Sequence, residues 1–300
     1  MRVLVTGANG QVGAEVVRQL AGRAEVHAVG RAQLDIAHPD RIVAMVRCAR
    51  PEVIVNAAAY TAVDRAETEE ALAHAVNAVA PGILGEEAKR LGAYVLHYST
   101  DYVFDGSKDG AYFETDPVNP LGAYGRTKLE GERRLAASGC DYAVLRTEWV
   151  YGPSGKNFLL TMLRLARERA ELRIVDDQHG APTSAIELGR LTRALLEGTA
   201  GAISRESIAR LREAGGIYHA TAAGKTTWCG FARAIFEGRA RRVADFSIPN
   251  VVPIPSSAYP LPARRPANSV LSCEKLEARL AARIGDWRAG LEEVLSALPA

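Results

Sequence analysis

Apolar residues recur along this chain with two periods that take turns. Residues 2 to 5 form a short apolar run ending in Thr6-Gly7, and Val12, Val16, Val17 and Leu20 follow at helical spacing. That pattern predicts a strand, a tight turn and a helix. Val26 to Val29 predicts a second strand, residues 39 to 47 a helix, and Val53-Ile54-Val55 a third strand ending in Asn56. An acidic amphipathic helix is predicted over about 68 to 90, then a buried strand at Tyr94-Val95-Leu96-His97-Tyr98. A further helix over about 124 to 137 and a strand from Tyr142 to Leu145 complete the regular part. Short apolar strands separated by helices of ten or more residues need crossover connections, so the sheet should be parallel and covered on both faces.

Beyond Trp149 the regularity weakens. Helices are predicted at about 156 to 169, 185 to 197 and 228 to 237, between loops rich in Gly and Pro. The segment from Pro249 to Pro266 carries too many prolines for a helix and is predicted as an ordered loop. The fold class expected is α/β, a doubly wound parallel sheet of the Rossmann type with a smaller, mixed C-terminal lobe. Residues 1–150 form the first domain, with core helices added from 185–200. Residues 151–300 are mainly the second lobe, interleaved with the first and drawn chiefly from 152–180 and 217–280.

Composition narrows the function classes. The 300 residues are 48% hydrophobic and 24% charged, which describes a globular chain with one large domain or two moderate ones. The formal charge of +2 offers no electrostatic case for a nucleic-acid partner. No apolar run approaches the roughly 18 residues of a membrane span, and the N-terminus enters a strand pattern without a signal-peptide core. A cytoplasmic protein with reduced thiols is expected. The 6 histidines and 4 cysteines are scattered without zinc-site spacing, so no metal site is predicted.

The first strand-to-helix junction reads Gly7-Ala8-Asn9-Gly10-Gln11-Val12-Gly13. Glycines there let bare backbone approach a pyrophosphate, and the free N–H groups of the helix start face that anion. A purely structural turn has the same glycines; the position after the first strand favours a dinucleotide. The second strand ends in Gly30-Arg31, a cation where a carboxylate would select NADH. Arg31 suits the 2′-phosphate of NADPH, although a solvated surface arginine reads the same way, and Asp35 four residues on leaves NADH use open. Ala57, Ala58 and Ala59, after Asn56, are small enough for a cofactor to lie against.

Tyr124 and Lys128 stand four apart and share one helix face. An ammonium beside a phenol stabilises the phenolate, so Tyr124 is expected to be brought from about 10 toward neutrality. Thr100 closes the strand of residues 94 to 98 within Tyr98-Ser99-Thr100-Asp101-Tyr102, at the strand end where ligands of such sheets bind. Hydroxyl, phenol and ammonium beside a hydride donor fit the reduction of a ketone.

These motifs resemble the extended short-chain dehydrogenase/reductase superfamily, and within it the dTDP-4-dehydrorhamnose reductases. The resemblance runs from Gly7 to about Trp287. It is carried by Asn56 to Asp64, Ser99 to Gly106, Leu121 to Lys128, Arg146 to Gly152, Asp176 to Thr183 and Ala263 to Ser269. It implies Thr100, Tyr124 and Lys128 as the catalytic trio, with Tyr124 and Lys128 also on the cofactor. It implies a sugar pocket lined by Val63, Asp101, Tyr102 and Trp149, with dTDP-4-dehydro-L-rhamnose as substrate. Trp149 and Tyr102 also fit plain core packing. Arg265, beside Arg264 in the proline-rich loop, suits a nucleotide diphosphate, as does an exposed basic pair with no ligand. Gln178, Asn157 and Phe158 are weaker candidates.

A homodimer bridged by Mg2+ is known among relatives. Glu15 and Glu292 match two of its carboxylates, whereas Ile186 stands at the third place and Glu187 is one residue off, which speaks against the ion here. Other nucleotide-sugar epimerases and reductases, or a non-catalytic dinucleotide-binding subunit of the methionine adenosyltransferase type, are the competing readings. Tyr102 stands where a dehydratase would carry a second acid, which favours simple reduction. Glu148 has no role in this reading.

Overall fold

The computed structural model describes residues 1–198 and 201–299. The chain runs β1 (Arg2–Thr6), α1 (Gln11–Leu20), β2 (Glu25–Val29), α2 (Pro39–Ala49), β3 (Val53–Asn56), α3 (Val63–Ala66), α4 (Glu70–His74), a π-turn (Ala75–Val79), α5 (Ala80–Leu91) and β4 (Tyr94–Thr100). It continues with α6 (Ala123–Ala137), β5 (Asp141–Thr147), β6 (Val150–Tyr151), α7 (Phe158–Glu168), β7 (Glu171–Val175), β8 (His179–Gly180), β9 (Thr183–Ser184) and α8 (Ala185–Glu197). After α9 (Arg205–Glu213) come β10 (Gly216–His219), β11 (Thr226–Thr227), α10 (Trp228–Ala240), β12 (Asn250–Ile254), α11 (Glu274–Leu280) and α12 (Trp287–Ser296).

Six strands pair in the order β10-β5-β4-β3-β1-β2, all parallel. Because β2 and β3 lie on opposite sides of β1, the strand order reverses at β1, and a crevice opens there above the carboxyl ends. The near-continuous apolar strands reflect burial on both faces. Val3 and Val5 pack with Val16 of α1 and Leu188 of α8, while Leu4 points the other way, against Ile42 of α2 and Leu84 of α5. The first of these cores continues into α7, α10 and α12 through Leu159, Phe231 and Leu291.

Three expectations needed revision. Residues 217–219, drawn by their sequence into the second lobe, belong to β10 (Gly216–His219), the outermost strand of the large sheet, on β5. The proline-rich segment holds a strand: β12 pairs in parallel with β7, and in a two-stranded ribbon Pro253 can present its N–H-less side outward. The helix over 68 to 90 is interrupted by the π-turn, since Pro81 has no N–H to continue the ladder. The helix expected over about 185 to 197 is Ala185–Glu197; of the stretch to 200 expected to add to the first domain, residues 199 and 200 lie outside the described residues, as does residue 300. Among the described residues no helix is long and apolar enough to cross a membrane.

Candidate active site

Gly7 follows β1 with φ of +69°, a conformation that costs any other residue a clash of its Cβ. A Cβ there would also lie 2.6 Å from the Ala58 backbone nitrogen, and one on Gly13 would lie 2.1 Å from the Gly7 carbonyl oxygen. The turn is thereby pressed flat between β3 and the first turn of α1. Gly7, Asn9, Gly10, Arg31, Asp35, Ala57, Ala58 and Ala59 line a cavity of about 250 Å3 beside it. This cradle of small residues, at the switch point and before a helix N-terminus, fits a dinucleotide diphosphate.

Gln11, Val12 and Gly13 do not line this cavity. The Gln11 side chain accepts a hydrogen bond from Asn157 at 2.9 Å, and Val12 packs on the core. Arg31 is 78% exposed at the cavity lip and pairs with Asp35 at 3.4 Å. The Ala37 N–H bonded to Asp35 is the main cause holding that carboxyl below its usual range.

The reacting groups stand at the carboxyl end of β4 and on the facing turns of α6. Glu67 caps α6 from outside, accepting the Ala123 N–H at 2.8 Å, where a helix start leaves donors free and favours an anion. Gly125 lets α6 approach the preceding loop: a Cβ there would sit 2.2 Å from the Tyr102 carbonyl oxygen. Deeper in, Glu132 binds Arg146 through both oxygens at 2.7 and 3.0 Å and accepts from Ser99 at 2.5 Å. This buried fork ties α6 to β4 and β5, and its two-pronged geometry sets the helix register.

Lys128 is 1% exposed and donates from Nζ to the Tyr98 carbonyl at 2.6 Å, with His97 Nε2 at 3.4 Å. Burial lowers it to about 8, partly offset by Glu132. Tyr124 sits edge-on to Tyr102, ring centroids 5.7 Å apart, and burial pushes its phenol up to about 12, against a smaller opposite effect of Thr100. The expectation that Lys128 brings Tyr124 toward neutrality is therefore not met in this arrangement. The ammonium site is turned to the Tyr98 carbonyl, and desolvation governs the phenol.

Thr100 donates to Asp101 at 2.9 Å. Asp101 is pushed up to about 6 by burial, while Glu148, on the neighbouring strand end, is raised well above the usual range by burial and by Asp101. The register explains the pairing: Thr100 lies opposite Thr147, so residues 101 and 148 leave adjacent strands side by side. Spacing in the sequence does not bring Glu148 and Asp101 together; strand pairing does.

Trp149 turns the chain at φ of +45° and stacks on Trp228, with ring centroids 3.6 Å apart and ring planes nearly parallel. Trp228, Phe158 and Gln178 line a cavity of about 910 Å3 together with Arg265, Tyr259 and Arg173. The Trp228 indole donates to Gln178, which in turn donates to Ser256. Arg265 is held in a two-pronged pair by Asp64 at 2.9 and 3.1 Å, and Asp64 is held below its usual range chiefly by that bond. Arg264 is exposed and does not line this cavity. Val63 starts α3 next to Asp64. Sequence reasoning missed Trp228 and the Asp64 clamp; as one of only three tryptophans, Trp228 was the available signal.

The carboxylates considered for an ion lie apart in their bonding. Glu15 pairs with Arg18, Glu292 with Arg241 and Arg242, and the Glu187 carboxylate lies against Gly290. Among the described residues no group of three or more His, Cys, Asp or Glu side chains is placed to hold a metal.

Comparison with known proteins places this geometry. Residues 1–299 match the family model described as the RmlD substrate binding domain. The dTDP-4-dehydrorhamnose reductase of Burkholderia thailandensis is 50% identical over 294 residues, covering 96% of each chain. Among solved structures, the dTDP-4-dehydrorhamnose reductase of Clostridium acetobutylicum superposes with a TM-score of 0.89 at 36% identity, covering 99% of both chains. That of Bacillus anthracis, solved in complex with NADP, gives 0.87 at 31% identity and the same coverage. With its NAD(P)-binding fold and its match over almost the whole length, the chain belongs to the dTDP-4-dehydrorhamnose reductase family of NAD(P)H-dependent oxidoreductases.

Proposed function

We propose that this protein reduces the C4 ketone of dTDP-4-dehydro-L-rhamnose to dTDP-L-rhamnose, with NADPH as reductant and NADH usable. The observation that carries the reading is the placement of Thr100 at the carboxyl end of β4, with Tyr124 and Lys128 on the facing turns of α6, at the same end of the sheet as the glycine turn. The substrate assignment is supported by the activity named for the relatives.

A bound dinucleotide supplies hydride from nicotinamide C4. Gly7, Asn9, Gly10 and Ala57 to Ala59 would hold it, and exposed Arg31 at the cavity lip favours a 2′-phosphate by charge. The Asp35 partner of Arg31 is the reason that NADH remains usable. Tyr124, with its phenol near 12, reaches the reaction protonated at neutral pH and gives its proton to the alkoxide oxygen as the ketone is reduced. Thr100 donates its hydroxyl to that same oxygen, leaving Asp101. An ammonium on Lys128, one helical turn beyond Tyr124, stabilises the phenolate left behind. Val63, Asp101, Tyr102 and Trp149 line the sugar, and Arg265, oriented by Asp64, meets the diphosphate.

The test follows NADPH absorbance with purified protein and dTDP-4-dehydro-L-rhamnose, with NMR of the product sugar. Stoichiometric oxidation yielding dTDP-L-rhamnose is expected. Dinucleotide binding without turnover would overturn the substrate assignment.

A further inference from the structure

Behind Lys128 runs a chain of buried polar side chains to which neither the family resemblance nor the reaction assigns a part. Asn56 is 1% exposed and His97 is fully buried. Asn56 Oδ1 accepts from the Thr6 hydroxyl at 2.6 Å and from the Ala58 backbone N–H at 3.3 Å. A backbone N–H can only donate, so the amide oxygen faces Ala58 and the amide nitrogen faces His97 Nδ1, 3.0 Å away. That nitrogen also can only donate, so His97 Nδ1 carries the lone pair. Deep burial keeps the imidazole neutral. Its single proton then sits on Nε2, which points at Lys128 Nζ at 3.4 Å.

The polarity of this chain is fixed from its far end, and it decides what Lys128 can be. An ammonium has only N–H groups to offer and would meet the His97 N–H head-on. A neutral amine has a lone pair for it, and still donates to the Tyr98 carbonyl. The geometry points to Asn56 and His97 as positioning residues that favour the neutral amine of Lys128 in the free protein, so that at alkaline pH dinucleotide binding is coupled to uptake of a proton by Lys128. The proton comes from solvent and converts the amine to the ammonium that the reaction needs beside Tyr124.

The groups around Lys128 agree. On its own helix, Glu132 is the nearby acid, and both its oxygens are taken by Arg146 of β5. From β4 it meets His97 and the Tyr98 carbonyl, and Tyr124 on α6 is a neutral phenol. No carboxylate free of an arginine is hydrogen-bonded to Nζ among the described residues. A dinucleotide changes this balance by bringing hydroxyl acceptors and a diphosphate's negative charge.

The inference rests on the dinucleotide reading above, and calorimetry separates the two. NADPH is titrated into the protein at pH 9 in two buffers of different ionisation enthalpy, where an ordinary lysine, with pKa about 10.4, is still charged. Wild type is expected to take up most of one proton per NADPH bound. Asn56→Asp reverses the chain, since a carboxylate accepts from His97 Nδ1–H and turns Nε2 into an acceptor for an ammonium; its uptake should fall to near zero. NADPH binding to the wild type without proton uptake overturns the inference and leaves the reductase reading intact. Failure to bind NADPH at all overturns both. Where Asn56→Asp does not fold, His97→Gln serves in its place, since an amide oxygen turned to Nζ accepts from an ammonium; its uptake should also fall well below that of wild type, and uptake equal to wild type's would overturn the part given to the chain.

Discussion

Replacing Gly7 with Ala tests the dinucleotide cradle through two separable costs. The first is conformational: at φ of +69° an L-residue pays about 1–2 kcal/mol. The second is contact: the new Cβ would lie 2.6 to 2.8 Å from three backbone atoms of Ala57 and Ala58, which cannot rotate away. Forcing such atoms apart costs about 1–3 kcal/mol, so the total is about 2–5 kcal/mol. Gly22 provides the control, because it has nearly the same φ, +74°, and nothing within 4 Å of its Cβ position. Gly22→Ala should lose only about 1–2 kcal/mol in urea unfolding and bind NADPH as wild type does. Gly7→Ala should lose more, and its dissociation constant for NADPH, read by fluorescence titration, should rise at least tenfold, about 1.4 kcal/mol or more. Equal stability losses and equal NADPH affinity in the two variants would refute the argument that the turn is pressed against β3 to receive the cofactor.

Other outcomes follow from the same geometry. Tyr124→Phe should reduce turnover by about 100-fold or more while NADPH affinity stays within a few-fold, and near-normal turnover would remove Tyr124 from the chemistry. Arg31→Ala should weaken NADPH at least several-fold more than NADH, as read by paired KM values; equal losses would remove the 2′-phosphate role. Asp101 is raised to about 6 when folded, so the native state holds its proton more tightly than the unfolded chain does. Its contribution therefore favours folding below its ordinary pKa near 3.8 and is lost as pH rises through 6, by about 2–3 kcal/mol in all. Asp101→Asn should flatten that part of the stability curve between pH 4 and 6.5, and an unchanged slope in urea unfolding would contradict the assignment.

Much of the fold was legible along the chain because its signals are local. Fully buried parallel strands read as apolar runs, helices as residues spaced three and four apart, and the glycine turn announces itself between β1 and α1. Tyr124 and Lys128 were legible for the same reason, since a spacing of four on a helix is itself a statement about proximity. The residue types of Thr100 and Arg31 likewise pointed to their strand ends.

What the tertiary structure alone decided is pairing across long stretches of sequence and the charge states that burial imposes. Strand register sets Glu148 beside Asp101, and a loop closure of 201 residues brings Arg265 to Asp64. Gly216–His219, a short segment with weak periodicity, became a strand because β5 offered an open edge in the large sheet. Pro253, which argues against a strand when read alone, is tolerated because β12 has one partner. The sequence identified the amine near the phenol, but not which way the amine would point. That depends on the Tyr98 carbonyl and on a hydrogen-bond chain whose polarity begins at the Ala58 N–H, on a different strand end. Residue type specifies which protons can move; only the packed interior, through desolvation and the direction of each bond, specifies where they sit.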